Sequence, residues 1–86
     1  MEYLNEISFV CWIGDKSLDV QLEPEAWVYT VELGEELTFV GICTDNNFKW
    51  AIRTSEEGVQ LFPESAQLFY GIRIYKNGTE IPNLAN

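Results

Sequence analysis

The side chains that could carry catalytic chemistry are few and widely spaced in this sequence. The chain of 86 residues contains no histidine and only two cysteines, Cys11 and Cys43. Without histidine, Ser–His and Cys–His nucleophile pairs cannot form, and two distant cysteines are too few for the roughly four ligands of a structural zinc site. The six glycines are dispersed, so no glycine-rich phosphate-binding loop is present. This pattern predicts a protein that is not an enzyme and that holds no cofactor or metal.

The acidic residues are the remaining source of chemistry. Two carboxylates could act as acid and base, as in glycosidases, but one must then be deeply buried, whereas these acids fall mainly in turns. Calcium binding is the other alternative, because loop carboxylates are the usual ligands of that ion. The two candidate calcium sets are Asp15 with Glu35 and Glu36, and Asp45 with Asn46 and Asn47. Neither set has the ligand spacing of an EF-hand loop, so both remain minor alternatives.

The surface charge limits the class of partner. Fourteen acidic and five basic residues give a net charge of −9 at pH 7. Such a surface repels nucleic-acid phosphates and anionic membranes, so direct binding to either is not expected. The complementary partner is a basic protein surface, which an acidic field attracts over a distance. The alternative explanation is that the charge serves solubility alone.

The start of the chain predicts a cytoplasmic protein. It lacks the basic segment of a secretory signal, and no apolar run approaches the ~20 residues that a membrane-spanning helix needs. In a reducing compartment Cys11 and Cys43 are expected to be buried free thiols, with a disulfide as the less favoured alternative. The tripeptide Asn77-Gly78-Thr79 matches a glycosylation sequon, but Asn-Gly is also the strongest short signal for a β-hairpin, and we favour the turn.

Apolar and polar residues alternate along most of the chain, a pattern typical of half-buried β-strands. The predicted strands cover residues 7–13, 18–22, 26–32, 37–43, 48–53, 59–62 and 67–76. A brief return strand at residues 79–81 is expected after the Asn77-Gly78 turn. No apolar residues recur at helical spacing over three turns, and no linker or repeat divides the chain. We therefore predict one all-β domain over residues 1–86, a small antiparallel β-sandwich or barrel of about seven short strands.

The same alternation predicts which side chains form the core and which face outward. The expected core residues are Phe9, Cys11, Leu18, Val20, Trp27, Tyr29, Phe39, Trp50, Ile52, Leu61, Tyr70 and Ile72. Apolar residues also occupy opposite-face positions, namely Val10, Trp12, Val28, Val40, Ile42, Phe69 and Tyr75. Because an apolar outer face is rarely left in water, this second set favours self-association, for example as a homodimer.

The turns indicate where a binding surface would lie. If each strand reverses the direction of the one before it, alternate turns share one end of the domain. The acidic residues that the first, third and fifth turns would gather there are Asp15, Glu35, Glu36, Glu56 and Glu57. We predict that these carboxylates bind the partner and that the protein is an acidic protein-binding module, an inhibitor or neutraliser of a basic partner protein. The alternative is a self-associating structural domain without a separate ligand.

Overall fold

The computed structural model describes residues 2–23, 26–43, 48–64 and 69–82, with the side chains of Phe69 and Tyr70 outside the description. This part of the chain is all-β and contains no helix, as predicted. The strands are β1 (Tyr3–Val10), β2 (Leu18–Leu22), β3 (Trp27–Val31), β4 (Glu36–Cys43), β5 (Lys49–Ser55), β6 (Gly58–Glu64), β7 (Phe69–Lys76) and β8 (Thr79–Ile81).

Two four-stranded sheets pack against each other as a small β-sandwich. The first sheet, sheet A, has the order β1-β4-β7-β8, and the second, sheet B, has the order β3-β2-β6-β5. Every pair is antiparallel except β2 with β6, where Val20 lies beside Val59 and Leu22 beside Leu61 in a parallel register. The predicted antiparallel arrangement therefore holds for every pair except this one. Strands that alternate in direction along the chain make any two even-numbered neighbours parallel, and β2 and β6 are such neighbours.

The ends of the strands differ from the predicted ones in places where local hydrogen bonds decide them. β1 begins at Tyr3 and ends at Val10, earlier at both ends than predicted. After Val10 the chain enters a turn, in which the backbone N–H of Trp12 donates to the Asp15 carboxylate at 2.8 Å and the N–H of Asp15 donates to the Trp12 carbonyl at 3.0 Å. The Asn77-Gly78 turn is confirmed, with φ of 51° and 83° at these residues. The brief return strand that follows it is β8, so the strands number eight among the described residues.

Phe39 lies at the centre of the core and is fully buried. Its ring makes edge-to-face contacts with Phe9 of the same sheet, at 6.0 Å between centroids, and with Tyr29 and Trp50 of the other sheet, at 5.7 and 6.4 Å. Edge-to-face pairs at such distances add about 0.5–1.5 kcal/mol each beyond their burial. The side chain of Trp50 also donates its Nε1–H to the carbonyl of Asn5 across the two sheets, at 2.9 Å.

Most of the predicted core residues are buried or pack against the core, but two are not. The exposed fractions of Trp27 and Ile52 are 40% and 49%, so their assignment to the core is wrong. Both belong to the outermost strands of sheet B, β3 and β5, where an inward side chain has a neighbouring strand on one side only. Tyr70 is the remaining predicted core residue, and its side chain lies outside the described residues.

The apolar positions opposite the core do not form one continuous exposed face. Val40 is only 6% exposed although it faces away from Phe39, because it belongs to a central strand. Val28 is exposed but belongs to sheet B, whereas Val10, which is also exposed, belongs to sheet A. The side chain of Phe69 lies outside the described residues. These positions do not supply the single apolar face from which self-association was predicted, and self-association itself stays a prediction.

Gly41 sets the local spacing between β4 and the aromatic side chain packed over it. A Cβ atom at Gly41 would overlap the ring of Phe48, which is buried and lies 5.0 Å from the ring of Trp50 between centroids. The missing side chain therefore makes room for an aromatic ring above the backbone.

Substitution of Gly41 by Ala is expected to lower the free energy of unfolding by about 1–3 kcal/mol, because the added methyl group forces Phe48 out of its place. Urea denaturation measures the loss. The matched experiment compares Phe48→Leu in the parent protein and in the Gly41→Ala background, where the smaller side chain should cost less. Additive losses in the double variant would contradict the proposed steric conflict.

Candidate functional site

The turns that carry the predicted binding residues lie at one end of the domain, which we call the acidic end. Cys11, just after β1, donates its backbone N–H to the carbonyl of Glu35 at 3.1 Å and accepts one from Gly34 at 2.7 Å. The turn between β7 and β8 joins the same end through Asn77, whose N–H donates to the carbonyl of Glu36 at 2.8 Å. The three turns after β1, β3 and β7 are thus bound directly to one another.

The turn between β5 and β6 reaches this end through sheet B. Glu56 and Glu57 form the turn, and the next residue, Gly58, lies so close to the backbone of Asp19 that a Cβ atom would overlap the Asp19 carbonyl oxygen. Asp19 is at the start of β2, directly after the first turn. The structure therefore places all five predicted site residues at the same end, but in two groups separated by the width of β2.

Two of the predicted carboxylates already have roles inside their turns. The Asp15 side chain accepts the N–H of Trp12, and its own N–H donates to the Trp12 carbonyl at 3.0 Å. Oε1 of Glu35 accepts the N–H of Glu32 at 2.9 Å and lies 3.6 Å from Nζ of Lys76. These contacts make Asp15 and Glu35 supports of the turn geometry as well as sources of charge.

An apolar tip stands among these carboxylates, formed by Trp12, Ile13 and Leu33, and the sequence analysis did not identify it. The exposed fractions of the three residues are 71%, 93% and 52%. Trp12 faces outward because the preceding residue, Cys11, is buried and donates its S–H to the carbonyl of Lys16 at 3.0 Å. The only sequence signal was an apolar Trp-Ile pair directly before Gly14, inside what was predicted as a strand.

The pKa of the Cys11 thiol reports the negative field at this end. Burial raises that pKa first, and the nearby charges of Asp15, Glu32 and Glu35 raise it further. A thiol with a raised pKa is mostly protonated at neutral pH and is a poor nucleophile. Cys43 is also buried and forms no disulfide. The β1–β4 register puts it opposite Tyr3, at the far end of β4 from Cys11, so the two thiols lie roughly 26 Å apart and cannot form a disulfide.

A polar groove of about 520 Å³ lies beside the second group of acids, on the face of sheet B that points away from the core. Its lining includes Asp19, Val28, Arg53, Glu56, Glu57 and Gln60. A chain of hydrogen bonds crosses this face: Arg53 donates to Gln60 at 2.5 Å, and Gln60 and Gln21 both donate to Glu23, at 2.7 and 3.2 Å. Arg53, the one basic residue among the described residues that line the groove, is thus bound to the neutral amide of Gln60. The other charged residues of this lining are acidic.

The described residues offer no cluster of three or more Cys, Asp or Glu side chains placed to hold a metal ion. The calcium set of Asp15, Glu35 and Glu36 is not assembled as ligands, and the set at residues 45–47 lies outside the described part of the chain. Within the described residues, no helix has the length and apolar character to cross a membrane.

Comparison with known proteins adds no functional information. No protein-family model matches the chain, and neither the curated proteins nor the solved structures yield a match. Function is therefore inferred from the geometry and chemistry of the acidic end.

Replacement of Asp15 by Asn is expected to speed alkylation of Cys11. Asparagine keeps an acceptor for the N–H of Trp12 but removes a negative charge that raises the thiol pKa, so a larger fraction of the thiol ionises at pH 9.0, the ordinary thiol pKa. Iodoacetamide labelling resolved by peptide mass spectrometry measures the rate at Cys11. Asp19→Asn is the control, because Asp19 is not among the charges that act on Cys11. Equal rates in the two variants would contradict the electrostatic account.

Proposed function

We propose that the protein is a non-catalytic protein-binding module that recognises a basic partner protein through its acidic end, and that it inhibits or neutralises that partner by covering its surface. The observation that carries this proposal is the apolar tip: Trp12 and Ile13 are 71% and 93% exposed and stand among carboxylates. A large apolar side chain at the end of a rigid turn is an anchor for a pocket on another protein.

The energetic case starts from the area that the tip leaves in water. Full burial of one large aliphatic or aromatic side chain stabilises a complex by about 1.5–3 kcal/mol, and Trp is the residue type most enriched at binding hot spots. Trp12, Ile13 and Leu33 together therefore offer enough apolar surface to anchor a complex. The carboxylates of Asp15, Glu35 and the exposed Glu36 would form its charged rim.

The tip is also held in place before any partner binds. Two hydrogen bonds between Trp12 and Asp15 close the turn, and backbone bonds from Cys11 fix its base to Gly34 and Glu35. A preorganised loop loses less conformational entropy on binding than a mobile one. The turn is thus built as a rigid projection, which suits insertion into a groove.

The charge of this end favours a basic partner and sets the expected salt dependence. Lys76 is near Glu35, and Lys16 is the only other basic residue in these turns, so the acids are in excess. Complementary charge speeds encounter, and its effect weakens with added salt because exposed charges are screened over about 8–10 Å. Glu56 and Glu57, beside the polar groove, provide a second area of contact for a partner broad enough to span β2.

Loss of the anchor is tested by Trp12→Ala, with Trp27→Ala as its matched control. Trp27 is also a partly exposed tryptophan, but it begins β3 and so lies at the opposite end of the domain. A partner is recovered by affinity capture from native cells, purified, and titrated by calorimetry. Trp12→Ala should weaken binding by about 2 kcal/mol or more, roughly thirtyfold in Kd, with little effect of Trp27→Ala. Equal affinities of the two variants would exclude the tip as the anchor.

The role of the acids is tested by a double variant, Glu36→Lys with Glu57→Lys. The control is a second double variant at the other end of the domain, Glu2→Lys with Glu64→Lys. Both double variants change the net charge equally, and neither touches the turn supports Asp15 and Glu35. The first pair should weaken binding more at low salt than at high salt, whereas the second should have a smaller effect. Recovery of only acidic partners, or equal losses for the two pairs, would contradict the proposed charge complementarity.

A further inference from the structure

The outer edge of β1 is the least protected sheet edge among the described residues. β1 is eight residues long, pairs with β4 without a bulge, and contains no Pro, Gly or Lys. The other sheet edges carry features that discourage pairing: β3 is short, β5 carries Lys49 and Arg53, and β8 has three residues followed by Pro82. Natural proteins use short strands, charged side chains and proline to prevent pairing at edges, and the only one of these features in β1 is the carboxylate of Glu6.

The ladder shows which backbone groups of β1 point away from the sheet. Cys11 donates its N–H to Glu35 of the neighbouring chain segment, so the odd-numbered residues of β1 face β4. Glu36, opposite Val10, instead uses its N–H and carbonyl for bonds to Asn77 on the β7 side. In an antiparallel pair these directions alternate, so the outward N–H and carbonyl groups belong to Leu4, Glu6, Ser8 and Val10.

We propose that the protein forms a two-fold symmetric dimer in which β1 pairs antiparallel with β1 of a second copy, joining the two A sheets into one eight-stranded sheet. A symmetric pairing must put residues of the same face opposite each other. It must also bring the outward backbone groups of the two strands together. Both conditions hold when Ile7 lies on the two-fold axis.

This register is favoured by the side chains of β1. It puts Leu4, which is 64% exposed, opposite Val10 of the second copy, which is 50% exposed, and so buries both apolar side chains on the outer face. It puts Glu6 opposite Ser8. Of the two neighbouring registers of the same parity, one would place Glu6 directly opposite Glu6 of the second copy, where like charges are destabilising, and the other would place the charged Glu6 opposite the apolar Val10.

The dimer and the binding of a basic partner respond to salt in opposite directions. Each copy carries a charge of −9, so the two copies repel each other, and added salt should strengthen the dimer by screening this repulsion. The contact uses one strand from each copy, which makes it a weak association that depends on protein concentration. The acidic ends lie beyond β1 at opposite ends of the joined sheet and remain open to solvent.

The decisive comparison is Ser8→Pro against Ser8→Ala, studied by sedimentation over a range of protein and salt concentrations. Both variants lose the hydrogen bond of the Ser8 hydroxyl to Thr38, which is 2.7 Å long and exposed. Only proline removes the outward N–H and blocks the approaching strand. Ser8→Pro should therefore raise the dimer dissociation constant by roughly tenfold or more, whereas Ser8→Ala should remain close to the parent protein. A parent protein that stays monomeric at all concentrations, or equal dimerisation of the two variants, would overturn the proposal.

Cross-linking tests the register even if Ser8→Pro does not fold. Leu4→Cys and Val10→Cys replace exposed side chains that the register puts opposite each other, at a Cα separation of about 5.5 Å that suits a disulfide. An oxidised mixture of the two variants should give a cross-linked heterodimer, and either variant alone should give none. Cross-linking of one variant alone as fast as the mixture, or no cross-link in the mixture, would exclude this register.

Discussion

The contact of Phe39 with aromatic side chains of both sheets is the interaction on which the sandwich depends. Strand pairing bonds each sheet internally, whereas Phe39 meets Tyr29 and Trp50 across the interface. The hydrogen bond from the Trp50 side chain to the Asn5 carbonyl also joins the two sheets. A chain of this length buries a small core, so one central aromatic residue carries a large share of the face-to-face packing. The turns of the acidic end come from both sheets. They lie at the same end of the domain because this packing holds the two sheets together.

A close approach of two backbones explains how β6 comes to lie beside β2. Gly58 has a φ of 137°, which side chains rarely adopt, and it lies against the Asp19 carbonyl where a Cβ atom would overlap it. The glycine therefore lets β6 begin directly beside β2, and Val59 then pairs with Val20 in a parallel register. The same approach brings the Glu56-Glu57 turn to the acidic end. The placement of these two acids thus depends on a backbone contact and not on any interaction of their own.

The alternation of apolar and polar residues was sufficient to predict the class of fold and most strand positions, and the Asn-Gly pair was sufficient to predict the turn at Asn77-Gly78. All of these depend on local sequence. It could not predict that Trp27 and Ile52 are exposed, since burial at an edge strand depends on which strands become neighbours. The parallel pair was missed for the same reason. The position of the five predicted acids at one end of the domain could be predicted because turns alternate between the two ends in any such arrangement. The apolar tip was missed because Trp12 continues the strand pattern, whereas its hydrogen bonds with Asp15 place it in a turn.

β1 supplies both the open edge and the base of the tip, and Asp15 separates the two. Along β1 the outward backbone groups belong to even-numbered residues up to Val10, and Trp12 would be the next in that series. The Asp15 carboxylate accepts the N–H of Trp12, so the edge that can pair with another strand ends at Val10, and the proposed anchor begins immediately after it. In an antiparallel β1 pair the two tips point to opposite ends of the joined sheet. One partner molecule would then contact one tip, so a dimer would bind partners at a ratio of one per chain, without the gain in avidity that two tips on the same side would give.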